Sequence, residues 1–199
     1  MNELFEFQKS ALQGVLTDPL CAEYKQEWRK CGDDKLKLIT LSLRQQSIPF
    51  VVTHCYQGKG LTRDYVKEQF GEYINGYTVH DADGCKGYTY GLYVDYDYDN
   101  DLVADKDVES VMWCSNVNVV VPSTKATTIY ISNKSDVHLV CDGYNSVRIY
   151  LFDESTVTLE SVDEDSNVII HRYSDDASVK VGRFCLSTKV REFRNKLKL

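Results

Sequence analysis

The sequence predicts an α+β protein in which an N-terminal helical region precedes a β-solenoid of the parallel β-helix kind, followed by a C-terminal capping helix. Three observations support this prediction: a repeated phrase in the second half, helical periodicity in the first third, and a change of charge between these segments. A length of 199 residues allows a buried core without metal ions or disulfides. A hydrophobic share of 43% with only 3 prolines excludes a disordered or collagen-like chain.

In the first third, Asp18 followed by Pro19 is a typical helix start, since Asp accepts free amide protons and proline already has the required φ. Apolar residues then recur every three or four positions until Gly32, which favours a helix end. Apolar residues within 4–15 indicate a preceding helix. These two segments predict a short helical hairpin.

Residues 35–45 fit both a helical face and a strand, and we favour a helix with Asp33 or Asp34 as its cap. Residues 48–56 are rich in β-branched and aromatic side chains and predict a strand. Thr62 is positioned to cap a further helix. Short turns between helices also suggest a DNA-binding helix-turn-helix, but the charges of this region balance, which disfavours phosphate contact.

From Gly87 the periodicity changes from helical to alternating. Residues 88–99 predict a strand with one aromatic face and one increasingly acidic, solvent-exposed face. Residues 117–119 and 128–132 predict the next strands. The second half of the chain is therefore expected to be β-structure.

The repeated phrase consists of a small or polar residue, a valine, any residue and an aliphatic residue. Its valines are separated by 10, 10, 11 and 11 residues, with polar, Asp-containing turns between them. Such strands form either the rungs of a solenoid or an antiparallel meander. The single polarity of the phrase and the lack of Asn-Gly and Gly-Gly turns favour a solenoid, with the valines stacked in one column. These valines are Val137, Val147, Val157, Val168 and Val179.

Charge divides the chain into three predicted regions. Residues 1–80, the mainly helical region, hold ten acidic and ten basic side chains; residues 81–186, the acidic β-solenoid, hold 19 and 8. Residues 187–199 hold one acidic and five basic side chains and form the predicted basic capping segment. In that segment Val190 and Phe193 would share an apolar helix face with Leu197. A nucleic-acid or membrane contact is the alternative for this tail.

An acidic stretch near residue 100 begins like the D-x-D-x-D of an EF-hand loop and is a candidate for weak cation binding. Asn100 stands where the loop needs glycine, and Lys106 stands where it needs a bidentate glutamate. A solvated acidic edge is the alternative. The candidate oxygen ligands are Asp95, Asp97, Asp99 and Asp101.

Seven cysteines without C-x-x-C spacing predict separately buried, reduced thiols. The start of the chain lacks the apolar core of a secretory signal, and no window approaches a membrane span, so we expect a cytoplasmic protein. No cofactor is expected. A zinc site would require convergence of residues that the spacing does not bring together: His54, Cys55, His80, Asp81 and Cys85.

The helical N-terminal region, the strand GYTYGLYVDYD and the Ser-x-Val-x-aliphatic repeats resemble uncharacterised proteins encoded by phages and mobile elements of Bacteroides-type gut bacteria. The resemblance extends over the whole chain. It implies a prophage or accessory-gene origin and a structural or interaction role. It assigns no catalytic residue.

The sequence contains no motif of a serine hydrolase, a zinc protease, a phosphate-binding loop or a dinucleotide-binding fold. Enzymatic activity stays open, with a noncatalytic role favoured. We predict an interaction or structural module with a protein partner, without membrane contact or direct nucleic-acid binding by the acidic body. The first alternative is an inhibitor whose carboxylates mimic nucleic acid and occupy a DNA-binding protein. The second is a carbohydrate-active enzyme on a β-helix.

Overall fold

The computed structural model describes residues 22–32, 34–44, 61–81, 87–96 and 101–195. Within these ranges the chain forms three α-helices, one short 3-10 helix and twelve β-strands. Among the described helices, none combines the length and the apolar character needed to cross a membrane. The helix expected within 4–15 and the strand expected over 48–56 lie outside the described residues.

Two of the predicted helix starts, at Asp34 and Thr62, are confirmed, and the start predicted at Asp18 and Pro19 lies outside the described residues. Asp34 caps the second helix by accepting a hydrogen bond from the backbone N–H of Lys37 at 3.1 Å. Thr62 caps the third in the same way, with the N–H of Tyr65 at 3.2 Å from its hydroxyl. The helices are α1 (Ala22–Lys30), α2 (Lys35–Leu43) and α3 (Arg63–Phe70), the last continued by a 3-10 turn at Gly71–Tyr73.

The helices bury their apolar side chains against the outer face of one β-sheet. Trp28, Leu38 and Phe70 belong to the same buried cluster as Tyr90 and Val94 of that sheet. Burial of apolar area is the main favourable contribution to such packing. The described helices therefore cover the N-terminal part of the outer face of this sheet, while its inner face belongs to the solenoid core.

The strands alternate between two sheets, so that consecutive strands lie on opposite sides of one core. Sheet A has the order β1-β2-β4-β6-β8-β10-β12 and sheet B the order β3-β5-β7-β9-β11. Among the described strands, only β1 runs antiparallel to its neighbour. The strands are β1 (Val79–His80), β2 (Thr89–Val94), β3 (Leu102–Val103), β4 (Val108–Met112), β5 (Val117–Val121), β6 (Ala126–Ser132), β7 (Asp136–Cys141), β8 (Ser146–Leu151), β9 (Thr156–Val162), β10 (Asn167–Arg172), β11 (Ser178–Cys185) and β12 (Val190–Arg194).

The predicted solenoid is confirmed, but the prediction of a single valine column is wrong. Val147 pairs with Val168 in sheet A, whereas Val157 pairs with Val137 and Val179 in sheet B. One phrase makes one strand and two strands make one turn, so the structural repeat is 20 to 22 residues. The two columns face each other across a dry core that extends over about five turns.

Small polar side chains close the turns of the coil. Ser135 and Ser155, each two residues before an inward valine, are buried, and the N–H of Ser135 donates to the Ser155 hydroxyl at 3.1 Å. On the other side of the coil the Ser166 hydroxyl donates to the carbonyl of Gly143 at 2.7 Å. These bonds satisfy backbone groups that burial would otherwise leave unpaired. They account for the serine two positions before Val137, Val157 and Val168, a position distinct from the polar residue that directly precedes each valine.

The predicted acidic, exposed face of β2 is wrong within the described strand. Tyr93 points into the solenoid core, while Leu92 and Val94 lie under the helices, so both faces of the strand are buried. The predicted alternation of side chains between two faces is confirmed. However, the solenoid core covers one face and the helices cover the other. The acidic residues begin only where the strand ends, at Asp95.

The predicted C-terminal capping helix is also wrong. Residues Val190–Arg194 form β12, which pairs in parallel with β10 and places Val190 opposite Val168. Val190 and Phe193 have the spacing of a helix face, but the open edge of β10 offers backbone hydrogen bonds, and pairing with that edge makes the segment a strand. Leu197, the third residue of the expected helix face, lies outside the described residues.

Candidate interaction face on the solenoid

Four aromatic rings stack in register on the outer face of sheet A. Tyr130, Tyr150, His171 and Phe193 occupy equivalent positions on β6, β8, β10 and β12. Their successive ring centroids lie 4.7, 5.0 and 5.5 Å apart, with interplanar angles of 11, 16 and 20°. Parallel strands about 4.8 Å apart place equivalent side chains at stacking distance, so the rings follow directly from the register.

A second stacked pair lies beside the first column. Phe152 and Tyr173 have centroids 5.2 Å apart with an interplanar angle of 13°. Exposure rises along the sheet: Tyr130 is 3% exposed in the cluster shared with the helices, and Phe193 at the last strand is 46% exposed. We define the aromatic face as the outer four of these side chains, Tyr150, His171, Tyr173 and Phe193.

Basic side chains flank the aromatic face. Arg148, Ile169 and Arg191 form the neighbouring column of sheet A, and both arginines are exposed. A groove of about 320 Å³ lies alongside, lined in part by Arg148, Ile169, Thr128 and Ser146. Residues 81–186 hold 19 acidic and 8 basic side chains, so most of the solenoid is acidic. This surface differs, because aromatic rings lie beside positively charged arginines.

The surroundings of His171 in the column favour its neutral form. Burial lowers its pKa, and the positive charge of Arg148 lowers it further. The side-chain amide nitrogen of Asn195 lies 3.2 Å from Nδ1 of His171. An amide NH₂ can only donate, so this contact is compatible with the neutral tautomer that carries its proton on Nε2. The face therefore presents a stacked imidazole with a lowered pKa between Tyr150 and Phe193.

Two of the four predicted cation ligands, Asp95 and Asp101, contact other side chains of the protein. Asp95 lies 2.6 Å from Nζ of Lys67 and 3.6 Å from Nη1 of Arg63, and the Lys67 hydrogen bond lowers the pKa of its carboxyl group. Asp101 accepts a hydrogen bond from the amide of Asn118 at 3.1 Å. The cation site stays a prediction. The other two candidates lie outside the described residues: Asp97 and Asp99.

The residues considered for zinc are only partly described. Asp81 accepts two hydrogen bonds of 2.8 Å from the guanidinium of Arg44, a bidentate ion pair that joins α2 to the end of β1. Over the part of the chain that the structure describes, no group of three or more His, Cys, Asp and Glu side chains is arranged to hold a metal ion. Three of the considered residues lie outside that part: His54, Cys55 and Cys85.

Glu109 carries a buried carboxyl group near the N-terminal end of the core. It was not among the residues that the sequence analysis singled out. Glu109 points inward from β4 opposite Gly91, is fully buried, and accepts a hydrogen bond from the backbone N–H of Lys106 at 3.0 Å. A Cβ atom at Gly91 would overlap its Oε2. Burial raises the pKa of Glu109 to about 7. Lys106 covers the cluster, with Nζ 2.8 Å from Asp105 and 3.3 Å from the hydroxyl of Tyr93.

The aromatic face was not among the predicted sites, although its signal is present in the sequence. Tyr130, Tyr150, His171 and Phe193 recur after 20, 21 and 22 residues. This spacing indicates stacked rings only if one turn of the solenoid contains two strands and therefore about 21 residues. Comparison of the chain with models of known protein families, with curated proteins and with solved structures finds no match.

Proposed function

We propose that the protein is a noncatalytic interaction module that binds a partner protein through the aromatic face. The observation that carries this proposal is the exposed end of a stacked aromatic column beside two exposed arginines, Arg148 and Arg191. Aromatic and arginine side chains supply much of the binding energy at protein interfaces. Stacking on a rigid sheet fixes the rings before binding, so that association costs little side-chain entropy.

A structural role for the same rings is the simpler alternative, because stacking stabilises neighbouring strands whether or not anything binds. Exposure argues for more than this role at the outer end. Phe193 and Arg191 are exposed at the last described strand, which lies beyond the part of sheet A that the described helices cover. The two roles are compatible, since the inner rings can support those that bind.

Three carboxylates of the solenoid are bound within the chain, which weakens the case for a nucleic-acid mimic. Asp153 accepts from the backbone N–H of Lys134 at 3.1 Å, and Asp163 accepts from that of Gly143 at 2.5 Å. Asp107 accepts from both the N–H and the hydroxyl of Thr89. A mimic must present its charges outward, whereas these carboxylates stabilise the protein's own backbone.

The groove beside the aromatic face gives no support to the carbohydrate-active alternative. A typical glycosidase uses two carboxyl groups that face each other across the scissile bond. Among the described residues that line the groove, Asp107 is the one carboxylate, and Thr89 already binds it. The groove is better suited to a partner's side chain than to hydrolysis.

We further infer a cytoplasmic location. The described cysteines are unpaired thiols, and burial raises the pKa of Cys114 to about 11 and that of Cys141 to about 12, which keeps them protonated and unreactive. Reduced, buried thiols are typical of the cytoplasm. The mobile-element origin stays a prediction based on the resemblance.

The experiment compares proteins retained from a lysate of the source cells by the immobilised wild type, by Phe193→Ser and by Tyr144→Ser. Tyr144 is the matched control, a 69% exposed aromatic residue in a turn of the coil. We expect partners that bind the wild type and Tyr144→Ser but not Phe193→Ser. Retention of the same proteins by all three would contradict the proposal. DNA-binding proteins that Phe193→Ser still retains and that salt releases would support the mimic instead.

A further inference from the structure

We propose that the C-terminal edge of sheet B binds an extended, acidic segment of a partner protein by strand addition. β11 is the last strand of sheet B and pairs with β9 on one side. Among the described residues no strand pairs with its other side. A free edge offers unpaired N–H and C=O groups to another chain. This edge lies in sheet B and the aromatic face in sheet A, so the inference goes beyond the function proposed above, although the last turn contributes Arg191 to both surfaces.

The solenoid core is uncovered at this edge. Val181 pairs with the buried Leu159 and so lies on the core side of β11, yet it is 68% exposed because no further turn covers it. The preceding core valine of the same sheet, Val157, is fully buried. Solenoids need a terminal cap because an open last turn exposes apolar core to water. A partner strand laid along β11 would cover Val181.

Apolar exposure extends beyond the core position. Phe184 is 69% exposed and Leu186 is 63% exposed, so three large apolar side chains lie within six residues of one edge. Natural edge strands are usually short or protected by charge; β11 is eight residues long and carries Lys180 and Arg183, charges that an acidic partner strand would neutralise. The combination of length, a free edge and apolar exposure is typical of a surface that pairs with another chain.

Charge selects the kind of segment that fits. The last turn, residues 178–195, carries five basic side chains and a single acidic one, Glu192, in a chain whose net charge is −7. A second copy docked through the same end would bring these positive charges together, which disfavours it. A segment that alternates acidic and apolar side chains would satisfy both the charges and Val181. The basic side chains are Lys180, Arg183, Lys189, Arg191 and Arg194.

The geometry of β11 also limits how a strand can add. Gly182 lies where a Cβ would be 2.8 Å from the carbonyl oxygen of Leu159, and the register with β9 shifts between Val181 and Phe184. The edge is therefore continuous over Ser178–Val181 and interrupted after it. We expect the added strand to pair with that first half and to contact Phe184 through side chains.

The test measures binding of a fluorescent eight-residue peptide of alternating Glu and Val, as long as β11, by fluorescence anisotropy at low salt. We expect saturable binding that Val181→Asp and Phe184→Asp each weaken by about tenfold or more. Tyr144→Asp, at a side chain as exposed as Phe184, should leave the affinity unchanged. A peptide of alternating Lys and Val should not bind.

Three results would overturn the proposal. The first is the absence of saturable binding to the wild type, with its fold verified by circular dichroism. The second is equal binding of the acidic and basic peptides, or equal weakening by Tyr144→Asp. The third is a wild-type dimer in sedimentation that Phe184→Asp converts to a monomer, because a second copy would then occupy the edge.

Discussion

Tyr150 and His171 stack nearly parallel on neighbouring strands of sheet A, with ring centroids 5.0 Å apart and ring planes 16° apart. The two residues are one full turn of the solenoid apart in sequence, 21 residues, although the repeated phrase recurs every 10 or 11. Their contact therefore depends on two strands per turn. The same register that builds the dry core also builds the surface on which we expect a partner to bind.

Replacing Tyr150 by Ala should destabilise the fold. Tyr150 stacks with Tyr130, His171 and Tyr173, and each aromatic contact adds about 0.5–1.5 kcal/mol beyond buried area. We expect Tyr150→Ala to lower the free energy of unfolding by about 3 kcal/mol, measured by urea denaturation. Tyr150→Phe, which keeps the ring, should cost much less. A loss for Tyr150→Ala no larger than that for Tyr144→Ala would contradict the stacking.

The stability of the protein should carry a pH dependence that comes from Glu109. Its folded-state pKa of about 7 exceeds the ordinary value of 4.5, so the folded protein holds this proton more tightly than the unfolded chain does. The contribution of Glu109 is therefore most favourable below about pH 4.5 and is lost as the pH rises through 7. The shift corresponds to a ceiling on the order of 3 kcal/mol.

Comparison with Glu109→Gln isolates this group from the other acids. The variant should match the wild type near pH 4 and exceed its free energy of unfolding at pH 8, because the amide carries no charge into the core. Urea denaturation of both proteins across this range measures the difference. A difference that does not change with pH would show that Glu109 titrates in the folded protein as it does in the unfolded chain.

Deleting residues 189–199 should lower the melting temperature, because β12 covers the edge of β10 and its Phe193 ends the aromatic column. A loss of about 2 kcal/mol in a chain of this size corresponds to a shift of roughly 4–8 °C. Arg194→Ala, at an exposed side chain of the same strand, should change the melting temperature little. An unchanged melting temperature after the deletion would show that β12 does not stabilise the coil.

Local signals predicted the parts of the fold that short stretches of chain determine. The caps Asp34 and Thr62 act on backbone amides three residues away, so their effect can be predicted without the rest of the structure. The phrases around Val137 and Val147 likewise specify a strand and a turn each. These signals were sufficient for a solenoid and for the described helices.

Other features depend on pairing between distant strands, which one sequence does not reveal. The repeated sequence motif occurs in the strands of both sheets. Its period of 10 or 11 residues is therefore compatible with one strand per turn and with two strands per turn. Val190 and Phe193 have helical spacing, and only pairing with the edge of β10 makes this segment a strand. From the sequence alone Glu109 is expected to be exposed, and its burial follows only from its register opposite Gly91. The aromatic face was missed for the same reason.

Disulfide formation between introduced cysteines tests the two-sheet register most directly. Ser146 and Asn167 are paired Cα partners in sheet A, at the separation of neighbouring strands that a disulfide spans, whereas Thr156 lies in sheet B opposite Asp136 and Ser178. We predict that Ser146→Cys with Asn167→Cys gives the cross-linked peptide by mass spectrometry under mild oxidation, and that Ser146→Cys with Thr156→Cys does not. A cross-link in the second variant and none in the first would contradict the two-strand turn and the aromatic face built on it.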